Sequence, residues 1–350
     1  MIDPTLEPMG TVADVAVVVV NHDAGDTLST FLQSLHAENV TEVVVVDNAS
    51  SDGSSDAVEA DPVVRVVRTG ANLGYGAGAN RGLAATEAEF VLVSNPDVCV
   101  HPGALSALMA AFAADPTLAI AGPRILGVDG TRYPSARRFP SMALAAGHAL
   151  LGVLSPENRF TRRYRMADLD PVASSSVGTL PGDTAPGDTA PGHTAPGHTV
   201  PMDTVPTDMV PMDTVPMDTA PVDTAPVDWV SGACFMARHR ALKDLGGFDE
   251  SYFMYMEDLD LCWRAHRAGW GVAYVPAAAV THRQGLSTAR RPYRMLLAHH
   301  RSAFHFVWRT VDGWQRVTLP GAAVVLSARF VVASARQALG TLHKTAGQGD

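Results

Sequence analysis

Through the first third of the chain, short uninterrupted apolar runs alternate with segments whose apolar residues recur at helical spacing. The runs are Val15–Val20, Glu42–Asp47, Val63–Arg68, Phe90–Ser94 and Leu118–Ala121, and the segments between them are Thr27–His36, Ala77–Thr86 and Ala104–Ala114. Runs without in–out alternation fit strands covered on both faces, so the pattern predicts an α/β fold with a mostly parallel sheet flanked by helices. The alternation resumes late in the chain. Val230 to Ala237 is strand-like, Gly246-Gly247 breaks the chain, and Glu257-Asp258 opens a helix running to about Ala268. A further strand-like run, Gly271 to Val275, leads through Pro276 and an Ala/Val stretch to His282.

Ligands of parallel sheets gather at the carboxyl ends of strands. Polar residues follow four successive strands here: Asn21 and His22, then Asp47 and Asn48, then Asn72 and Gly74, then Asn95 to Asp97. DNASSDGS, from Asp47 to Ser54, reads either as an Asx-rich turn or as a strand end whose carboxylate accepts a base N–H. NLGYGAGANRG, from Asn72 to Gly82, offers small residues where backbone can approach a phosphate or ribose. Its Gly74, Gly76 and Ala79, followed by Asp97, also fit a G-x-G-x-x-G/A dinucleotide fingerprint, although two strand–helix units precede it. SNPDV sets Asn95 and Asp97 two residues apart at a strand end; with His282 they would form an oxygen-plus-imidazole cation site with open positions.

The Glu257-Asp258 pair sits at a helix N-terminus, where the dipole favours negative charge. Capping alone accounts for such carboxylates, and Asp260 can pair with Arg264 at i,i+4 on a solvated face. A nucleotide site elsewhere in the chain would turn the pair into a candidate acid–base group.

Composition is that of a globular protein, with 47% hydrophobic and 18% charged residues in 350. From Pro181 a five-residue repeat, P-x-(D/H)-T-x, runs for ten units and ends in PVDWV. Proline at every fifth position blocks helix and central-strand pairing, so an extended or disordered surface insertion is expected. Only His193 and His198 supply imidazoles there, too few for a metal-binding array. The repeat carries eight Asp and no Lys, Arg or Glu, so removing it from the net charge of −10 leaves −2. The near-neutral remainder gives no sign of a nucleic-acid partner. Cys99, Cys234 and Cys262 lack metal-type pairing and fit a reducing cytoplasm. The tail ARRPYRMLLAHHRSAFHFVWR alternates Arg290, Arg291, Arg294 and Arg301 with apolar residues, as an interfacial helix does. Arg329 and Arg336 interrupt the last apolar run, so a membrane span is not expected.

VVVNHD (18–23), VVDNASSDGS (45–54), NLGYGAGANRG (72–82), SNPDV (94–98) and the run from WVSGACFMARHRAL through YMEDLDLCWR to VTH (229–282) together resemble the family-2 inverting glycosyltransferases of GT-A fold, especially the rhamnosyltransferase-like branch of bacterial cell-envelope polysaccharide synthesis. The resemblance covers about residues 14–310 apart from the repeat. It implies a Rossmann-like GT-A domain divided into a nucleotide-sugar half (14–170) and an acceptor and catalytic half (228–290). Around these lie an N-terminal extension (1–13), the repeat insertion (171–227) and a helical, membrane-associated tail (291–350). It further implies that Asp47 contacts the nucleobase, that Asn21, Asn48, Asn72, Gly74, Asn80 and Asn95 shape the donor site, and that Asp97 and His282 hold Mg or Mn. Asp258 would be the general base, with Glu257 the weaker candidate. The implied donor is dTDP-rhamnose or a UDP-sugar, and the acceptor a glycan or polyprenyl-diphosphate-linked glycan, at the cytoplasmic face of the membrane. Asn95 stands where the family's first D-x-D carboxylate is expected, and His22 where relatives often carry an aromatic residue. An NAD-dependent oxidoreductase built on the glycine fingerprint and a catalytically silent nucleotide-binding scaffold are the competing readings.

Overall fold

The computed structural model describes residues 14–139, 224–283 and 292–346, and side chains in the last helix only to residue 334. The repeat up to residue 223 lies outside the described residues, as do residues 1–13.

Five strands and two helices build the first half: β1 (Val15–Asn21), α1 (Thr27–His36), β2 (Glu42–Asp47), β3 (Val64–Arg68), α2 (Tyr75–Leu83), β4 (Phe90–Ser94) and β5 (Val98–Val100). Next come α3 (Ala104–Ala114), β6 (Leu118–Leu126), β7 (Arg132–Tyr133) and β8 (Ala136–Arg137). The later segment contributes β9 (Ala225–Pro226), β10 (Trp229–Val230), β11 (Cys234–Arg238), α4 (His239–Asp244), α5 (Glu257–Arg267) and β12 (Gly271–His282). Two long helices follow, α6 (Pro292–Thr310) and α7 (Leu319–Ala346).

The main sheet runs β3-β2-β1-β4-β11-β6-β12-β5. Strands β1 to β4 are mutually parallel, as their apolar runs predict, and β6 is parallel to β12. Antiparallel β11 joins these two groups, pairing with both β4 and β6. β1 is buried along its whole length, with Val15, Val17 and Val19 in one apolar cluster and Val18 and Val20 in the other. That division is what helices on both faces require.

Two expectations about boundaries change. The strand expected over Val230 to Ala237 splits into β10 and β11 at Gly232, while Pro276, which reads as a break, lies within β12. The register of β12 against β6 slips between Val275 and Ala279, and at such a bulge a residue without an N–H is tolerated. Ala225 and Pro226, from the last repeat units, pair with Tyr274 and Ala273, so these units form the edge strand β9.

The small residues of α2 serve packing. A Cβ on Gly78 would come within 2.9 Å of Val20, and one on Gly82 would strike Val18 and meet Val46 at 2.9 Å. The helix therefore lies directly on β1 and β2.

Candidate active site

A cavity of about 990 Å³ opens at the carboxyl ends of β1, β2 and β4 and extends under α6 and α7. Of the residues singled out in the sequence, Asn48, Asn72, Gly74, Asn95, Asp97, Glu257, Asp258 and His282 line it, as does His22.

Asn48 organises the donor-side loop. Its amide donates to the Gly74 carbonyl at 3.0 Å and to Asn72 Oδ1 at 3.3 Å, and its Oδ1 accepts from Leu73 N at 2.9 Å. Asn72 Oδ1 in turn accepts from Gly74 N at 3.0 Å. Gly74 has φ +91°, and a Cβ there would strike the Phe253 carbonyl, so only glycine fits. Asp47, one residue before Asn48, accepts from Ser50 N at 2.9 Å and lies outside the cavity lining.

Two expected donor residues are corrected. Asn21 is fully buried, and its amide donates to the hydroxyls of Ser54 and Ser55, both at 2.8 Å, and of Ser50 at 3.2 Å. It fastens the end of β1 to the loop after β2. Asn80 points toward the turn before α5, donating to the Phe248 carbonyl at 2.9 Å and accepting from Phe248 N at 2.9 Å. Both side chains clamp loops within the protein, although the buried Asn21 Oδ1 has no hydrogen-bond partner.

On the far side of the sheet, antiparallel pairing of β12 with β5 sets His282 opposite Val98. The imidazole Nε2 therefore meets Asp97 Oδ1 at 3.0 Å, and the Asn95 amide lies 3.4 Å from the same nitrogen. Residues 185 positions apart thus form one cluster. A carboxylate oxygen, an imidazole nitrogen and a nearby amide suit a divalent cation whose other ligands come from a bound diphosphate. Among the described residues no group of three or more His, Cys, Asp or Glu could enclose a metal unaided.

The carboxylate pair enters on α5. Tyr255 and Met256 take left-handed backbone conformations, φ 69° and 70°, and turn the chain so that the first residues of α5 reach the cavity. Such conformations cost on the order of 1 kcal/mol or more for residues with a Cβ, and surrounding contacts must hold them. The backbone N–H of Gly232 donates to Asp258 Oδ2 at 2.7 Å and that of Leu259 to Oδ1 at 2.8 Å. A Cβ on Gly232 would lie 3.0 Å from that of Asp258, which explains the glycine at the β10–β11 break. Tyr75, at the start of α2, donates to the Gly232 carbonyl at 2.7 Å and braces the same turn.

The two carboxyls differ electrostatically. Burial, and secondarily the charge of Asp258, push Glu257 up to about 8, and its Oε2 is buried without a hydrogen-bond partner. Burial also raises Asp258, but the Gly232 and Leu259 N–H groups and the Arg137 guanidinium oppose that rise. Glu257, raised by burial and by the Asp258 charge, lies beside an Asp258 carboxyl oriented by two backbone N–H groups, so the two adjacent carboxyls sit in different environments and can take separate roles. The Asp260–Arg264 pair does form, at 2.6 Å, but Asp260 is fully buried, and the pair faces the interior instead of solvent.

Strand reasoning missed Tyr133, Arg137 and Trp229. The small β8–β10 sheet pairs Trp229 with Arg137, whose guanidinium stacks over the Trp229 ring at 4.9 Å and the Tyr133 ring at 5.4 Å. His299, His300, Phe306 and Arg329 also line the cavity from α6 and α7. α6 is docked by Ser302 donating to the Met254 carbonyl at 2.9 Å, His305 on Ser251 at 2.9 Å and an Arg309–Asp249 ion pair. Arg294 and Arg301, singled out in the tail, are exposed.

Residues 313–334 are by length and composition long and apolar enough to cross a membrane, with mean hydropathy 1.7. The stretch carries two arginines, Arg316 and Arg329, among its valines and alanines.

This combination of a parallel nucleotide-type sheet, a carboxylate–imidazole cluster and a buried carboxylate pair is that of a sugar-nucleotide transferase. The sequence matches the model of the family described as Glycosyl transferase family 2 over residues 16–177, and Glycosyltransferase like family 2 over residues 213–298. It is 36% identical over 339 residues to the N-acetylglucosaminyl-diphospho-decaprenol L-rhamnosyltransferase of Mycobacterium tuberculosis, covering 92% of this chain and 94% of the relative. It is 27% identical to the pre-mycofactocin glycosyltransferase of the same organism, covering 77% of this chain and 42% of that protein. Among solved structures, the mannosyltransferase PcManGT from Pyrobaculum calidifontis in complex with GDP-Man and Mn2+ gives a TM-score of 0.49 at 15% identity, covering 99% of this chain and 81% of that one. The chain belongs to glycosyltransferase family 2 and is a glycosyltransferase.

Proposed function

We propose that this enzyme transfers L-rhamnose, with inversion, from dTDP-rhamnose to a hydroxyl of an N-acetylglucosamine carried on a polyprenyl diphosphate. Its similarity along almost the whole chain to a rhamnosyltransferase named for that acceptor supports the substrates. The observation that carries the mechanism is the placement of Asp258, held by two backbone N–H groups, in the same cavity as Asp97 and His282.

In this reading Asp47 contacts the base, and Asn48, Asn72 and Gly74 shape the ribose and diphosphate site. Asp97 and His282, with Asn95 beside them, would hold a divalent cation. Such a cation supplies Lewis-acid stabilisation of the departing nucleoside diphosphate. Asp258 takes the proton of the acceptor hydroxyl as its oxygen attacks the anomeric carbon; the bond from that carbon to the diphosphate breaks, and the nucleoside diphosphate leaves with the electron pair. Neutral Glu257 leaves Asp258 as the only anion of the pair, avoiding like-charge repulsion beside the reacting centre. The Gly232 and Leu259 N–H groups fix the carboxylate's orientation.

Thr318, Gly321, Ala322, Val325, Leu326 and Arg329 line the cavity, which supports a stretch that lies along the catalytic unit. Its other face exposes Trp314, Val324 and Val331, and Trp308 adds to it from α6. We place this face in the headgroup region of the cytoplasmic leaflet, where exposed Arg294 and Arg301 meet anionic lipid.

The direct test incubates the enzyme with dTDP-rhamnose and a GlcNAc-diphosphate-polyprenol acceptor and determines the anomeric configuration of the product by NMR. A rhamnosylated product of inverted configuration is expected. Retained configuration, or transfer only from another nucleotide sugar, would overturn the proposal.

A further inference from the structure

The cavity has a second end that the transfer chemistry leaves unused. Besides Glu257 and Asp258 its lining includes Phe306, Val307, Ala322, Val325 and Leu326, contributed by α6 and α7. A collar of His299, His300, Arg329 and Arg137 lines it too, the last three near enough to His299 to act on it electrostatically.

The collar is built for an anion. His300 is only 8% exposed; its Nδ1 donates to the Leu296 carbonyl at 2.8 Å, and its buried Nε2 has no partner. Arg329 makes no ion pair among the described residues. His299 is pushed down to about 4 by burial, then by His300, Arg329 and Arg137, which shows that these groups crowd one another. Cationic and unpartnered groups at the mouth of an apolar slot match an anion that continues into hydrocarbon.

We propose that Arg329 and His300, the latter as an imidazolium whose Nε2–H donates alongside the committed Nδ1–H, bind the diphosphate of the lipid-linked acceptor, while the slot between α6 and α7 takes its first isoprene units. The inference rests on the acceptor class given under the proposed function. It commits the slot to the acceptor, because the donor's diphosphate is accounted for by the Asp97–His282 end of the cavity. The exposed apolar face of α7 is continuous with the slot, so a tail leaving it enters the lipid surface on which the helix rests. α6 and α7 then select for a lipid-diphosphate acceptor over a free sugar.

The test measures equilibrium binding of geranylgeranyl diphosphate in neutral detergent micelles to the full-length protein, with geranylgeraniol and dTDP as comparison ligands. Wild type is expected to bind the diphosphate at least roughly tenfold more tightly than the alcohol, as charge-assisted contacts would give. Arg329→Gln and His300→Ala should each remove about tenfold of that preference, with dTDP-induced thermal stabilisation unchanged as a check on folding. Val325→Asp should weaken binding of the isoprenoid diphosphate while leaving inorganic diphosphate unaffected. The proposal is overturned if Arg329→Gln lowers dTDP affinity instead, or if phosphatidylglycerol vesicles compete as well as the isoprenoid diphosphate, which would assign the collar to the donor or to bulk lipid. Binding as expected without rhamnosyl transfer would support the subsite and overturn the donor assignment. Transfer to the lipid-linked acceptor with no effect of any of the three variants would do the reverse.

Discussion

Replacing Glu257 by Gln tests the electrostatics of the carboxylate pair without touching the proposed base. Glu257 is 6% exposed, and burial with the neighbouring Asp258 charge raises it from 4.5 to about 8. The folded protein therefore binds a proton more tightly than the unfolded chain. Its contribution to stability is full below about pH 4.5 and is lost progressively as pH rises through 8. Each unit of displacement corresponds to about 1.4 kcal/mol, so the whole effect is on the order of a few kcal/mol. Gln keeps the shape and never ionises. Melting curves of wild type and Glu257→Gln across pH 5 to 9 should diverge progressively from about pH 5, the variant gaining several degrees relative to wild type by pH 8 and the gap levelling off above it. Parallel dependence on pH in the two proteins would show that Glu257 is ionised at neutrality, and the division of roles in the pair would be wrong.

Other consequences follow from single contacts. Gly74→Ala forces a Cβ against the Phe253 carbonyl at φ +91° and should cost at least ~1–3 kcal/mol, read as a lowered midpoint together with weaker dTDP stabilisation. His282→Ala should abolish the extra stabilisation that Mn or Mg adds to dTDP while leaving the metal-free effect of dTDP in place; an undiminished metal effect would place the cation elsewhere. Trp314→Ser with Val324→Ser removes two exposed apolar groups and should reduce co-sedimentation with anionic vesicles without changing the melting midpoint.

The strand ends were legible because uninterrupted valine runs leave little choice of register or burial. β1, β2 and β4 lie where the apolar pattern puts them, and Asn48, Asn72, Asn95 and Asp97 reach the cavity from their ends. Direction was not legible. Asn21 and Asp47 are register partners at neighbouring strand ends, yet the Asn21 amide turns inward to three serine hydroxyls supplied by a loop about 30 residues later. Asn80 occupies a helix whose glycines look like a phosphate cradle, but the contacts of Gly78 and Gly82 are with valines of the sheet. The fingerprint glycines themselves serve close approaches within the protein: a Cβ on Gly74 would strike the Phe253 carbonyl, and one on Gly76 would lie 3.0 Å from Phe248 Cβ. The collar of His299, His300 and Arg329 was beyond local reasoning because it exists only once α6 and α7 fold back over the α5 terminus. Arginine spacing along the tail drew attention instead to Arg294 and Arg301, which face solvent.

The central claim is that Asp258 removes the acceptor proton in a site whose donor half does not depend on it. The most direct measurement is transfer by Asp258→Asn, made alongside thermal stabilisation by dTDP. The account predicts a loss of roughly a hundred- to ten-thousand-fold in turnover, the usual contribution of a positioned base, with donor stabilisation kept. Turnover near that of wild type would contradict it and move the base to another group in the cavity.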